Sequence, residues 1–307
     1  MMVTFLSVSI IQATISIATP LFMGALGGVF NERVGIVNVG LDGIMLSGAF
    51  TAAITSYYTQ SAWMGVLAAL IVGGLLGLLH AAICVGFKAD HVVSGVAINI
   101  LASSVTVFLL QLLFHNKGQS PFAPKIGQLS NAGSIPILGP ILNNMSYLTI
   151  VGLALIVISH FFLYHTKMGL RLRSVGENPY AAQSLGIPVR KYMYLSVIAG
   201  CALAGLAGSF LSIGMLNIFT KNMTAGRGYI ALAAMILGRW TPFGALGASL
   251  FFGYVLAWQM NAQGLTIPAQ LVEIIPYITI LLVLAFVSKR VRGPAHDGKI
   301  FAPSEHQ

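Results

Sequence analysis

Long apolar runs, nearly free of charge, alternate with short polar connections along the chain. They occupy residues 5–29, 41–59, 63–87, 92–114, 146–165, 192–215, 243–260 and 271–288. The hydrocarbon core of a bilayer accepts about 20 residues of helix, so each run predicts a membrane-spanning helix. A spanning barrel strand would be about ten residues long with strict alternation, and no run has that pattern. A ninth run, YIALAAMIL at 229–237, is too short for a full span. It is either re-entrant or the end of a crossing that extends back through 218. The opening 30 residues hold no charge and lack the basic start of a signal peptide, which makes them the first helix. The pattern predicts an all-α polytopic membrane protein with about eight to ten transmembrane helices. These form one domain over 1–288, followed by a basic cytoplasmic tail, 289–307.

Composition removes the soluble alternatives. Of 307 residues, 57% are hydrophobic and 7% charged, where a soluble domain carries about 25% charge. The net charge of +9 would suggest nucleic acid in a soluble protein. Here the basic residues lie between the apolar runs, so the charge reads as orientation in a lipid bilayer and no nucleic-acid partner is expected. The segment 166–191 and the tail, which opens SKRVRG, are predicted to be cytoplasmic. With nine crossings, 12 Lys and Arg lie inside, and Lys117, Lys125, Lys221 and Arg227 lie outside with the N-terminus. A re-entrant 229–237 would leave eight crossings and invert the N-terminal half. The outer loop 115–145, with four prolines, is long enough to be a cap or docking element. The only cysteines, Cys84 and Cys201, sit inside apolar runs and form neither a disulfide framework nor a metal site.

The chain contains no GxSxG, HExxH, paired carboxylates within one segment, or GxxxxGKS/T loop. It is therefore expected not to be an enzyme, not to bind a cofactor or metal, and not to hold ATP by a phosphate loop. Gly73 and Gly77, and the row Gly200, Ala204 and Gly208, have the spacing that lets helices approach closely. Polar residues inside spans are costly unless satisfied or facing a pathway. Asn99, Ser103 and Thr106 share one helix face, with Ser94 earlier on the same helix. Asn38 and Asp42 open the second span beside Glu32 and Arg33. These six positions are the candidate substrate path, and capping or loop anchoring is the alternative reading for Asn38 and Asp42. On the soluble side, GLRLRSVGENPYAAQSLGIPVRKY at 169–192 places a helix start at Asn178-Pro179 and a stop at Gly186. The result is either a rigid knob between basic flanks or an ordinary connector.

Four motifs, GGVFNERVGIVNVGLDGIMLSGAF (27–50), FKADHVVSGVAINIL (87–101), GLRLRSVGENPYAAQSLGI (169–187) and GRGYIALAAMILGRWTPFGALGASLFFG (226–253), cover much of the chain. Together they resemble permease subunits of bacterial ABC importers of the simple-sugar and nucleoside class, which are related to the branched-chain amino acid permeases. The resemblance is strongest to the shorter nucleoside permease. It implies a multi-pass protein of the bacterial inner membrane that pairs with a second, longer permease around a central path. It also implies a partner ABC ATPase that holds ATP and Mg. Gly176, Glu177, Asn178, Pro179, Ala181, Ala182 and Gly186 would form the coupling helix docked on that ATPase. An external solute-binding protein or lipoprotein would meet Lys117, Lys125, Lys221 and Arg227. Asp42 stands where many relatives have Glu, one methylene shorter. The ligand implied is a nucleoside, with a simple sugar, riboflavin or another ribosyl-like compound as alternatives. A stand-alone ion-coupled carrier is the rival from another class, opposed by the scarcity of intramembrane acids.

Overall fold

The computed structural model describes residues 8–129, 145–262, 269–287 and 292–302. Parts of the outer loop (130–144) and of the tail (288–291 and 303–307) lie outside the described residues. Every regular element is helical. In chain order they are α1 (Val8–Glu32), α2 (Leu41–Thr59), α3 (Ala62–Ala81), α4 (His91–Phe114), α5 (Tyr147–His165), α6 (Lys167–Glu177), α7 (Pro179–Ser184), α8 (Val189–Ser209), α9 (Arg227–Leu237), α10 (Pro242–Ala262) and α11 (Ala269–Val287). Single π-helical segments, Ala82–Gly86 and Phe210–Leu216, extend α3 and α8. Helix starts follow local chemistry. The Asp90 carboxylate accepts from Val92 N and Val93 N to open α4, and Thr166 Oγ1 accepts from Gly169 N to open α6.

Six helices among the described residues are long and apolar enough to cross a membrane: α1, α3, α4, α5, α8 and α10. α2 is sheathed by α3, α4 and α8. α8 is the centre of the bundle, packed on α1, α2 and α3. These contacts are backbone to backbone. A Cβ at Gly48 of α2 would strike Gly205 O, one at Gly208 would strike Met45 O, and one at Gly73 would lie 2.5 Å from Cys201 O. The small residues picked out by spacing are therefore those at which the helices touch.

Two ends can be distinguished. At one, Arg33 Nε donates to Trp240 O at 2.8 Å, and His296 N donates to Gly176 O at 3.0 Å. This basic end gathers the α1–α2 loop, α6, α7, the α9–α10 turn and the tail. At the other, the stretch after α4 ladders onto the stretch after α8. Ser120 N donates to Phe219 O, Ala123 N to Asn217 O, Ile126 N to Ile213 O and Lys221 N to Gly118 O, at 2.7–2.9 Å.

The chain thus passes from Lys221 at one end to Arg239 at the other, and 217–238 is a crossing of which only α9 is helical. At 1.5 Å per residue α9 spans about 16 Å, half a bilayer. The course of 217–238 from one end to the other favours the crossing over the re-entrant reading of 229–237.

Because backbone fills the space on α8, Gly205→Ala and Gly208→Ala are expected to lower detergent-solubilised stability by about 1–3 kcal/mol. Gly247→Ala on α10, where nothing lies within 4 Å, should be neutral or slightly stabilising. Thermal unfolding followed by size-exclusion chromatography reads the difference.

Candidate functional site

Between Arg33 and α2 the chain does not fold directly into helix. Residues 36–40 run as irregular backbone through the bundle interior, where water cannot satisfy their polar groups. Side chains from two helices and from the stretch itself do so instead. His80 Nε2 of α3 meets Val37 O at 3.2 Å, and its Nδ1 lies 2.9 Å from Ser94 Oγ. Asn38 accepts from Gly40 N through Oδ1 at 3.0 Å, while its Nδ2 donates to Cys201 Sγ of α8 at 3.1 Å. Asn99 of α4 donates to Val39 O at 3.0 Å and accepts from Gly43 N at 2.7 Å.

α2 and α9 both begin at this depth, and their N-termini share one acid. Asp42, in the first turn of α2, accepts from Gly228 N at 2.9 Å and from Thr224 Oγ1 at 3.0 Å. A carboxylate suits two converging helix N-termini. A Cβ at Gly43 would lie 2.7 Å from Asn99 Cα, so the elements meet without intervening side chains. Asn99 is about 13 Å along α4 at 1.5 Å per residue, which places the junction about a third of the way along that 24-residue helix. Its Nδ2 also donates to the hydroxyl of Tyr229 at 2.9 Å, and the Tyr229 ring is 48% exposed.

The six candidate path residues do not converge on one cavity. Asn38, Ser94 and Thr106 are buried, and Thr106 bonds within its own helix to Ala102 O. Asp42 and Asn99 hold the junction. Ser103 alone is exposed, a turn beyond Asn99 on a face of α4 that also bears Val96 and Ile100. Tyr229 was not singled out by the sequence reading. Its only signal was an aromatic hydroxyl at the start of an otherwise aliphatic run.

At the basic end the 169–192 motif folds as its turn signals indicate. α6 ends at Glu177, and Asn178 Oδ1 accepts from Ala181 N at 3.0 Å to open α7, with Pro179 buried in its first turn. Gly186 takes φ +78°, a left-handed value that glycine adopts without strain. Gly176 and Ala182 face inward, whereas Glu177, Asn178 and Ala181 are exposed and Leu185 is 81% exposed. The motif therefore presents a short capped helix on a buried footing.

The tail closes over this footing. Trp240 Nε1 donates to the buried Glu32 carboxyl, which lies beside Asp297. Burial pushes the Asp297 carboxyl up to about 6. Burial likewise holds the neighbouring His296 imidazole below its ordinary value.

At the opposite end Lys117, Lys125 and Lys221 are exposed, with the first and third brought together by the ladder between Gly118 and Lys221. Arg227 stands apart from them. It is half-buried at the start of α9 and donates to Met223 O at 2.9 Å and Thr224 O at 3.3 Å.

Residues 10–284 match the family of branched-chain amino acid transport system / permease components. The guanosine ABC transporter permease protein NupQ of Bacillus subtilis (strain 168) is 40% identical, covering 94% of this chain and 95% of the relative. The nucleoside ABC transporter permease protein NupC of Lactococcus lactis subsp. cremoris (strain MG1363) is 36% identical, over 94% and 95%. A second Bacillus subtilis protein, the guanosine ABC transporter permease protein NupP, is 28% identical over 88% of this chain and 79% of its own length. No solved structure matches. With a family match that runs from α1 into α11 and near full-length relatives, this multi-pass membrane protein belongs to the branched-chain amino acid transport system permease family.

Proposed function

We propose that the chain is a transmembrane permease subunit of an ATP-driven importer of nucleosides in the bacterial cytoplasmic membrane. The observation that carries this reading is the 40% identity, over nearly all of both chains, to a permease named for guanosine. ATP and Mg sit on a partner ATPase, in keeping with a sequence that has no phosphate loop. α7 is the knob that docks on that ATPase, since it is short, capped at both ends and exposed on one face. The basic end is then cytoplasmic, as the placement of Lys and Arg favours. A second, non-identical permease completes the path, as the two Bacillus subtilis relatives NupQ and NupP suggest. The α4 face bearing Ser103, with the Tyr229 ring beside Asn99, is the wall this subunit contributes. A polar hydroxyl on a face otherwise open to hydrocarbon is stabilised when the face borders a pathway. Lys117, Lys125 and Lys221 orient an external binding protein, and rim charges of this kind set the rate of encounter more than the affinity.

In proteoliposomes holding the full complex, labelled guanosine uptake should require internal ATP and should compete with unlabelled nucleosides but not with glucose. Uptake driven by an ion gradient after ATP depletion would overturn the reading in favour of a secondary carrier.

Two substitutions separate the parts of the machine. Leu185→Glu changes an exposed side chain on the knob, so it should cut co-purification of the ATPase at least tenfold while the permease stays folded. Ser103→Trp should lower uptake more than tenfold with the complex intact. By contrast, Asn99→Leu removes bonds to Gly43 N, Val39 O and Tyr229 and should cost about 1–3 kcal/mol of stability, so stability and uptake fall together.

A further inference from the structure

The described part of the tail, 292–302, has no regular secondary structure, yet it is held at every step. Gly293 lies under the Trp240 ring, where a Cβ would come within 2.9 Å. Ala295 N donates to Glu177 Oε2 at 3.3 Å, and His296 N to Gly176 O at 3.0 Å. The Asp297 carboxyl meets Glu32. Gly298 N donates to Gly35 O at 3.1 Å. Phe301 is buried against Tyr180 of α7, ring centroids 5.3 Å apart, with Ile187 and Pro188 beside it. The segment therefore has two sets of partners. One is the corner between α6 and α7: Gly176 and Glu177 at the end of α6, and Tyr180 on α7. The other is the pair of connections at Gly35 and Trp240.

That second set sits at the basic-end termini of the two elements that meet at the junction. Gly35 immediately precedes the irregular stretch 36–40, which leads into the first turn of α2 at Leu41 and Asp42. Trp240 follows α9, whose other end is Gly228, bonded to the same Asp42. Arg33 clamps the two connections to each other through Trp240 O. A displacement of the α6–α7 corner thus has a route to both elements through the tail, by hydrogen bonds at Gly176 and Glu177 and by ring contacts at Tyr180. Its other route is the tight contact of Gly176 on Arg33 O, which belongs to α6.

We propose that the docked C-terminal segment is a positioning strap that conveys movement of α7 to the 36–40 stretch and to α9, and so to the junction at Asp42. This rests on the reading of α7 as the ATPase-docking knob. The strap binds no ligand and hydrolyses nothing. It makes the knob and the two connections move as one body.

The test uses the whole complex in proteoliposomes and measures guanosine taken up per ATP hydrolysed. One variant deletes 293–307 and another is Phe301→Ala, which removes the nearer of the two ring contacts on Tyr180 of α7. The expected result is continued ATP hydrolysis with a ratio of uptake to hydrolysis reduced at least fivefold in each. Should the deletion fail to assemble, the Phe301→Ala ratio decides. A merely structural tail would lower uptake and hydrolysis in step and leave the ratio unchanged, and that result overturns the proposal. Leu185→Glu is measured alongside. If the ATPase remains bound and coupled in that variant, the reading of α7 fails independently of what the tail variants do.

Discussion

At Gly200, Ala204, Gly205 and Gly208 helix α8 carries nothing larger than a methyl, and α1, α2 and α3 press close against it along this stretch. Within hydrocarbon there is no hydrophobic drive to bring helices together, because lipid tails are as apolar as leucine. What remains is dispersion and polar bonding, and both depend on distance. Close approach to α8 fixes the height and rotation of α1, α2 and α3. Asn31 and Asn38, which flank the loop between α1 and α2, both donate to Cys201 Sγ on the same helix. With α8 fixed, the irregular stretch 36–40 has a defined course through the bundle.

That stretch is the structure's main departure from plain spanning helices. Unpaired peptide groups at membrane depth cost several kcal/mol each, so irregular backbone there must be bonded from elsewhere. His80, Asn38 and Asn99 meet this need from α3, from the stretch itself and from α4. Asp42 does the same for the first turn of α9. The polar residues that look costly in the sequence are thus mostly those that make a break in two helices tolerable. Two helix starts, those of α2 and α9, thus meet inside the bundle on one carboxylate.

Much of the fold was legible in the sequence. Eight apolar runs match α1–α5, α8, α10 and α11 closely, because run length alone identifies a spanning helix in a chain with so little charge. The capped helix at 179–184 was legible too, since Asn178, Pro179 and Gly186 act locally. The candidate path was legible only as a set of polar residues. Helix spacing put Asn99, Ser103 and Thr106 on one face, but it could not tell that Thr106 bonds within α4 while Asn99 reaches two other elements. Asp42 and Gly228 are far apart in sequence, and no periodicity links them. The tail was readable as basic and polar. Its docking rests in large part on backbone amides at Ala295, His296 and Gly298, which any residue but proline supplies and which leave no mark in composition, and a single Phe301 gives no periodicity to read.

The carboxylate shared by α2 and α9 also bears on how the protein is made. Its partners, Thr224 and Gly228, follow Asp42 by 182 and 186 residues. At a synthesis rate of roughly 5–20 residues per second, that gap is on the order of 10–40 s. During this interval an acid and an unfinished helix start wait at the translocon or in the lipid without their permanent bonds. Early insertion of α2 therefore depends on interim shelter from α1, α3 and α4, and the order in which the ribosome delivers the helices becomes part of what the sequence must specify.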